Sequence, residues 1–196
     1  MERFNDKIKK IVSNQRNVFG LLILIALAIS IQRIGLGVKN FWGGEYTHYN
    51  NYVIFKYSFL HLIENTNLYN YYPNEYGDLF KYSPTFALFM GCFYALPDTI
   101  GLFIWNVLNI LVLYYAIISL KAIEPSKSIF IIFFVLFELI LSTQNSQSNA
   151  LIAGLTILAY NMLEKGKNIY ASFFIVLGTF IKLYSIAGCI LLLLYP

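Results

Sequence analysis

Long apolar runs separated by short polar segments set the pattern of this chain. Residues 18–38, 99–120, 128–143, 149–163 and 169 to about 194 carry at most one charged residue each. Crossing a hydrocarbon core of about 30 Å takes roughly 20 apolar residues in a helix. The pattern therefore predicts an all-α membrane protein with about five transmembrane helices. A further apolar run, 84–96, is shorter and ends in Pro97-Asp98, so it reads as a short or re-entrant helix.

Between the first run and this short one lies the segment 39–83, in which two stretches stand out. "NNYVIFKYSFLHLIE", residues 50–64, has a helical pattern with Phe55, Phe59, Leu62 and Ile63 on one side and Lys56 and Glu64 on another. Such a helix is expected to lie along a membrane surface. "NLYNYYPNEYGDLFKYSP", residues 67–84, is dense in tyrosine, a residue that favours the headgroup level.

Composition sharpens the class. The 196 residues are 58% hydrophobic and only 12% charged, with mean hydropathy +0.62, whereas soluble domains carry about 25% charge. A soluble or nucleic-acid-binding role is excluded on that ground. The net charge of +4 acts as a topology signal. Arg3, Lys7, Lys9, Lys10 and Arg16 precede the first run, which predicts a cytoplasmic N-terminus over residues 1–17 and an extracytoplasmic loop over 39–83. Lys121 and Lys127, then Lys165 and Lys167, make two later loops basic, and both prefer the cytoplasm. All three assignments hold together if 84–96 does not cross, and residues 142–149 then share the outer side with the first loop.

Those residues, "STQNSQSN", join two apolar runs with uncharged hydrogen-bonding side chains and contain no Gly or Pro. If the helix from Ser128 continues to Asn149, then Glu138, Ser142, Asn145 and Asn149 share one face. Two readings stay open: polar groups that satisfy one another between packed helices, or the lining of a polar site. Lys182 is a second ionisable group in an apolar run. Glu138 is its expected protein partner and an anionic lipid headgroup its expected ligand, unless it snorkels to an interface. Arg33, at the outer end of the first run, is expected to snorkel. Cys92 and Cys189 sit in apolar runs, and His48 and His61 lack metal-ligand spacing, so no disulfide, metal or cofactor is expected. There is no Gly-rich nucleotide-phosphate loop.

Several segments carry a family resemblance in order along the chain. They are "NLY" (Asn67 to Tyr69), "KYSPTFALF" (Lys81 to Phe89), "ALP" (Ala95 to Pro97), "LFIWNVLN" (Leu102 to Asn109), "SQSN" (Ser146 to Asn149) and "FIKLY" (Phe180 to Tyr184). Together they resemble the polyprenol-phosphate-dependent, mannosyltransferase-like bacterial glycosyltransferases of family 87, which have the GT-C fold. The resemblance implies transfer of a hexose, mannose being one candidate, from a polyprenyl-phosphate donor to a lipid or glycan acceptor at the outer face of the plasma membrane. It implies a carboxylate in the first loop as general base and basic residues on the departing phosphate.

The family's acidic position falls on Asn51, so the base role passes to Glu45 in "GGEYTHYNN", with His48 in reserve. Asn51, Tyr82, Glu138, Gln144, Gln147, Asn149 and Lys182 are the expected substrate-binding residues. Family members are about twice as long, so the chain corresponds to an N-terminal half, and a second chain is a candidate source of the missing helices. The alternatives are a non-catalytic lipid-binding or transport subunit, for which Glu138 and Lys182 would matter and Glu45 would not, and an inactive truncated paralogue.

Overall fold

The computed structural model describes residues 14–41, 44–121 and 123–195. Arg3, Lys7, Lys9 and Lys10, on which the orientation of the N-terminus rests, lie outside these residues. In chain order the elements are α1 (Gln15–Gly35), β1 (Val38–Phe41), β2 (Gly44–Thr47), α2 (Asn50–Ile63), α3 (Pro84–Phe89), α4 (Gly91–Tyr94), α5 (Asp98–Ile118), α6 (Pro125–Phe134), α7 (Leu136–Gln144), α8 (Asn149–Leu163), α9 (Asn168–Ile181), a 3₁₀ segment (Leu183–Gly188) and α10 (Cys189–Leu194). Among the described residues only α1 and α5 are by themselves long and apolar enough to cross a membrane; α6 and α7, bent by 49°, add a third span if taken together. Large apolar side chains cover the surface, with Phe130, Phe134, Phe137 and Ile169 all exposed. That is the arrangement a lipid solvent favours, and the protein is a largely helical membrane protein.

Local chemistry explains where the helices begin. The Asn14 side chain accepts from the Arg16 amide at the start of α1, 2.9 Å. Ser83 caps α3 through the Phe86 amide, 3.1 Å, with Pro84 at the first helical position, where a missing N–H costs nothing. Asp98 places its carboxylate at the N-terminus of α5, on the side the helix dipole favours. Lys56 Nζ on α2 meets that carboxylate at 2.7 Å and also donates to the Leu96 carbonyl, 2.8 Å, which ties the outer helix to the bundle.

Buried polar contacts fix how the helices run. The Tyr114 hydroxyl donates to the Gln15 carbonyl and Asn106 Nδ2 to Ser30 Oγ, so α1 and α5 are antiparallel. The Leu151 amide donates to Asn109 Oδ1 near the start of α8, and Asn161 Nδ2 donates to the Ala116 carbonyl near its end, so α8 runs parallel to α5. The bundle thus has two chemically distinct ends. One carries Arg16, Lys121 and Lys165. The other gathers the β1–β2 hairpin, α2, the tyrosine-rich loop, α3 and the turn after α7. Gly154 lets α8 approach α5 closely, since a Cβ there would lie 2.8 Å from the Leu113 nitrogen. An aromatic core of Phe55, Tyr82, Phe86, Phe93 and Trp105 sits beneath the second end.

Three expectations are corrected, and one element was not anticipated. The helix from Ser128 does not continue to Asn149: it bends at Val135 and stops at Gln144. The bend lets Ile132 and Leu139 both bury against Val18 and Leu22 of α1. Residues 169–194 are not one span. The chain leaves α9 at Lys182 in an extended conformation and folds back, so that Ser185 lies beside Gly178, Gly188 beside Ile175, and Tyr195 reaches Glu164. The glycines leave room for that return. On α2 the buried face centres on Tyr52 and Phe55, packed into protein, while Ile63 is exposed. Finally, the loop around Glu45 contains an antiparallel hairpin, with Asn40 opposite Glu45 and Val38 opposite Thr47.

Candidate functional site

The polar string becomes a tight reversal between α7 and α8. Ser146 adopts a left-handed conformation, φ 52°, and its amide and that of Gln147 donate to the carbonyls of Thr143 and Ser142, both 2.9 Å. This is the Schellman pattern, which terminates a helix and usually takes glycine at the left-handed position. Here a fully buried serine takes it. Its carbonyl accepts from Trp105 Nε1 at 3.0 Å, which anchors the turn to α5. The hydroxyls of Ser142 and Ser146 are buried and find no partner among the described residues; that of Ser148 faces the Tyr82 phenol without a well-formed bond. Unpaired buried hydroxyls are costly in a finished core, so their gathering here marks the turn as built for something other than packing.

Lys182 faces the turn from the point where the chain reverses after α9. Its Nζ donates to Asn149 Oδ1 at 2.6 Å and Gln147 Oε1 at 3.2 Å. The Tyr82 and Tyr184 rings lie 5.7 and 5.8 Å from it, and the Tyr184 hydroxyl donates to Asn149 Oδ1, 3.4 Å. Among the described residues no carboxylate pairs with this half-buried ammonium, so its charge is balanced only by neutral oxygens and ring faces. Burial pushes the Tyr82 phenol up to about 12, so it stays neutral and a donor. Asn149 opens α8, whose dipole presents positive potential at the same place.

The structure brings Tyr82, Gln147, Asn149 and Lys182 together. Asn51 joins from α2, donating through Nδ2 to the Asn145 carbonyl, 2.8 Å. Gln144 points elsewhere, to Gln32 Oε1 on α1 at 3.4 Å. Glu138 is not the partner of Lys182. It lines a separate apolar cavity of about 300 Å³ with Leu113, Val135, Ser142, Asn149 and Ile157. Glu45 is exposed on β2 and His48 follows it, its amide donating to the Gly37 carbonyl at 3.3 Å. Arg33 lies in the last turn of α1. Sequence reasoning missed Tyr184, Trp105 and the buried Ser146 and Ser148 hydroxyls as parts of the site. The signals available were the Trp in a polar-flanked helix and serines where a turn would take glycine.

A groove of about 680 Å³ leaves the cluster between α8 and the returning C-terminal segment. Asn149 and Tyr184 stand at one end, with Ile152, Thr156, Gly188 and Leu191 among its walls. In this helical membrane protein Lys182 thus stands beside Asn149 and Tyr184, which lie at one end of the apolar groove. No group of three His, Cys, Asp or Glu side chains able to hold a metal ion forms among the described residues.

Comparison with known proteins agrees with that class and narrows it. The family model of glycosyltransferase family 87 matches residues 80–195, more than half of the chain, and the protein belongs to that family. The matched segment contains Tyr82, the reversal around Ser146, Asn149 and Lys182, and begins after Glu45, His48 and Asn51. No curated protein and no solved structure matches the chain.

Proposed function

We propose that the protein transfers a hexose from a polyprenyl-phosphate donor to a lipid or glycan hydroxyl at the outer face of the plasma membrane, within a GT-C-like bundle. The observation that carries this reading is Lys182. Its ammonium is half-buried, held by Gln147 and Asn149, without an anionic partner among the described residues, and placed at the head of an apolar groove. A lipid phosphate supplies the missing charge and an isoprenoid chain fills the groove. Membership of a glycosyltransferase family supports sugar transfer as the chemistry at that head group.

In this mechanism the acceptor oxygen attacks the anomeric carbon as the bond from that carbon to the phosphate oxygen breaks. The acceptor proton passes to a general base, for which the Glu45 carboxylate is the first candidate and the His48 imidazole the second, and the lipid monophosphate leaves carrying the electron pair. A base must come within about 3 Å of the acceptor proton. Glu45 is exposed on the short hairpin at the same end of the bundle as the site. Lys182 strengthens its hold as negative charge builds on the leaving phosphate, which is the direction in which a preorganised cation accelerates a reaction. Tyr82, as a neutral donor, and Gln147, Asn149 and Asn51, as amides, match the hydroxyls of a sugar. Glu138, which borders the second cavity together with Asn149, and Gln144, which donates to Gln32, remain proposed as further substrate-binding residues.

The test is transfer of labelled hexose from polyprenyl-phosphate hexose to membrane lipid and glycan acceptors, comparing membranes carrying the protein with membranes carrying Glu45→Gln. Transfer lost in the variant, from protein shown to be folded, supports both the activity and the base. Transfer that persists moves the base to His48. No transfer by either protein refutes the activity for this chain and leaves the lipid-binding or inactive-paralogue reading.

A further inference from the structure

At the opposite end of the bundle lies a cavity of about 320 Å³ lined by Leu120, Lys121, Tyr160, Asn161, Glu164 and Lys165. We propose that it binds the headgroup of a glycerophospholipid, with the phosphodiester between Lys121 and Lys165 and a short hydrogen-bond-donating end, ammonium or hydroxyl, against Glu164 and Asn161. The two lysines come from different loops and meet because α5 and α8 run parallel and end at the same level. Asn161, only 3% exposed, locks that level: its Nδ2 donates to the Ala116 carbonyl at 3.1 Å and to Ser119 Oγ at 2.8 Å. Both donor hydrogens are thereby used, and Asn161 Oδ1 accepts from no described residue. This buried side chain therefore brings an open acceptor to the cavity it lines.

The signs of the lining groups select the ligand. Glu164 already receives the Tyr195 hydroxyl from the returning C-terminal segment, and Tyr160 stacks edge-on with Tyr195 at 6.2 Å. The neighbouring lysines are engaged elsewhere, Lys127 beside Glu124 and Lys167 over the Tyr170 ring. A bare phosphate would satisfy Lys121 and Lys165 but would set an anion against Glu164 and the Asn161 oxygen. A phosphodiester ending in ethanolamine or glycerol satisfies both signs at once.

Size and surroundings agree. The space equals roughly ten waters at about 30 Å³ each, room for a headgroup and not for acyl chains. Ile169 and Tyr170, which follow Lys165 by a few residues, and Leu193, which precedes Tyr195, are exposed apolar side chains against which acyl chains could lie. A lipid seated here would fasten α5, α8 and the C-terminal segment together, independently of any sugar transfer.

The protein, purified in detergent and stripped of lipid, is titrated with phosphatidylethanolamine, phosphatidylglycerol, phosphatidylcholine and inorganic phosphate. Native mass spectrometry reads bound lipid and a thermal melt reads the midpoint. Phosphatidylethanolamine or phosphatidylglycerol is expected to remain bound as a single copy and to raise the midpoint. Phosphatidylcholine, whose trimethylated end donates no hydrogen bond, and inorganic phosphate should do neither. The Lys121→Gln/Lys165→Gln variant is expected to weaken retention by about tenfold or more through loss of two charge-assisted contacts, while Lys127→Gln leaves it unchanged. Glu164→Gln should weaken phosphatidylethanolamine more than phosphatidylglycerol, and this variant carries the test if the double variant does not fold. Retention unchanged in the lysine variant, equal binding of phosphatidylcholine, a midpoint reproduced by inorganic phosphate, or an unaltered lipid preference in Glu164→Gln would each overturn the proposal.

Discussion

Replacing Ser146 by glycine is predicted to make the protein more stable and a poorer binder of its ligand. Ser146 holds φ at 52°, a conformation that costs a side-chain-bearing residue about 1 kcal/mol or more and glycine little. Its hydroxyl is fully buried without a partner, a desolvation cost of about 1–3 kcal/mol. Against these gains stand about 0.5–1 kcal/mol of extra chain entropy for glycine and about 0.8 kcal/mol for one lost CH₂ of burial. The balance is a net stabilisation of about 1 kcal/mol. Ser146→Ala separates the two sources, because it removes the hydroxyl while keeping the backbone strain and the buried CH₂, so on the same figures it should gain about 1–3 kcal/mol and equal or exceed Ser146→Gly. Equilibrium unfolding in mixed micelles of a mild detergent and sodium dodecyl sulfate gives the stabilities, and titration with polyprenyl phosphate gives the affinities. The reasoning is refuted if Ser146→Gly is destabilised by more than about 1 kcal/mol, or if it is stabilised with full ligand affinity, since a hydroxyl kept for binding must be missed when it goes.

Two further outcomes follow from other parts of the bundle. Gly154→Ala should destabilise by about 1–3 kcal/mol, the reverse of the usual gain from alanine in a helix, because its Cβ would meet the backbone of Val112 and Leu113 at 2.8 Å; the same unfolding assay checks the sign, and a gain would mean that α5 and α8 are not in such close contact. Burial raises the Tyr82 phenol from 10.0 to about 12, so its contribution to stability is complete below about pH 10 and is lost as pH rises through about 12. Tyr82→Phe should therefore lessen the alkaline loss of stability in that window, and an identical pH profile for the two proteins would contradict the burial of the phenol.

The parts of the fold that could be read from sequence are those decided by local apolar content. Residues 99–120 and 149–163 correspond to α5 (Asp98–Ile118) and α8 (Asn149–Leu163) because no packing choice interrupts an uncharged run with helix-forming pattern. The reversal at Lys182 was not legible, since residues 169–194 are as apolar after the turn as before it. What divides them is the close approach permitted by Gly178 and Gly188. The bend at Val135 has no Pro or Gly to announce it and is decided by tertiary burial of Ile132 and Leu139. At the site, the chemical character of Lys182, Gln147 and Asn149 was visible because ionisable and amide groups are conspicuous in an apolar chain. Their mutual geometry was not: Glu138 was expected beside Lys182 only as the carboxylate available in an apolar run, and the reversal at Lys182 instead puts the ammonium on Gln147 and Asn149. Asn161 and the cavity beside it went unread, for nothing in one sequence shows that two loops more than forty residues apart end at the same level.

The central claim is that Lys182 waits for the phosphate of a lipid, and direct binding tests it most plainly. Purified wild type and Lys182→Gln are titrated with polyprenyl phosphate, with a neutral polyprenol of the same length as the control. The account predicts that wild type prefers the phosphate over the alcohol, and that Lys182→Gln loses about 1.5–3 kcal/mol of that preference, the usual worth of a hydrogen bond to a charged group, while binding the alcohol as before. Equal preference for phosphate in the two proteins would contradict the account.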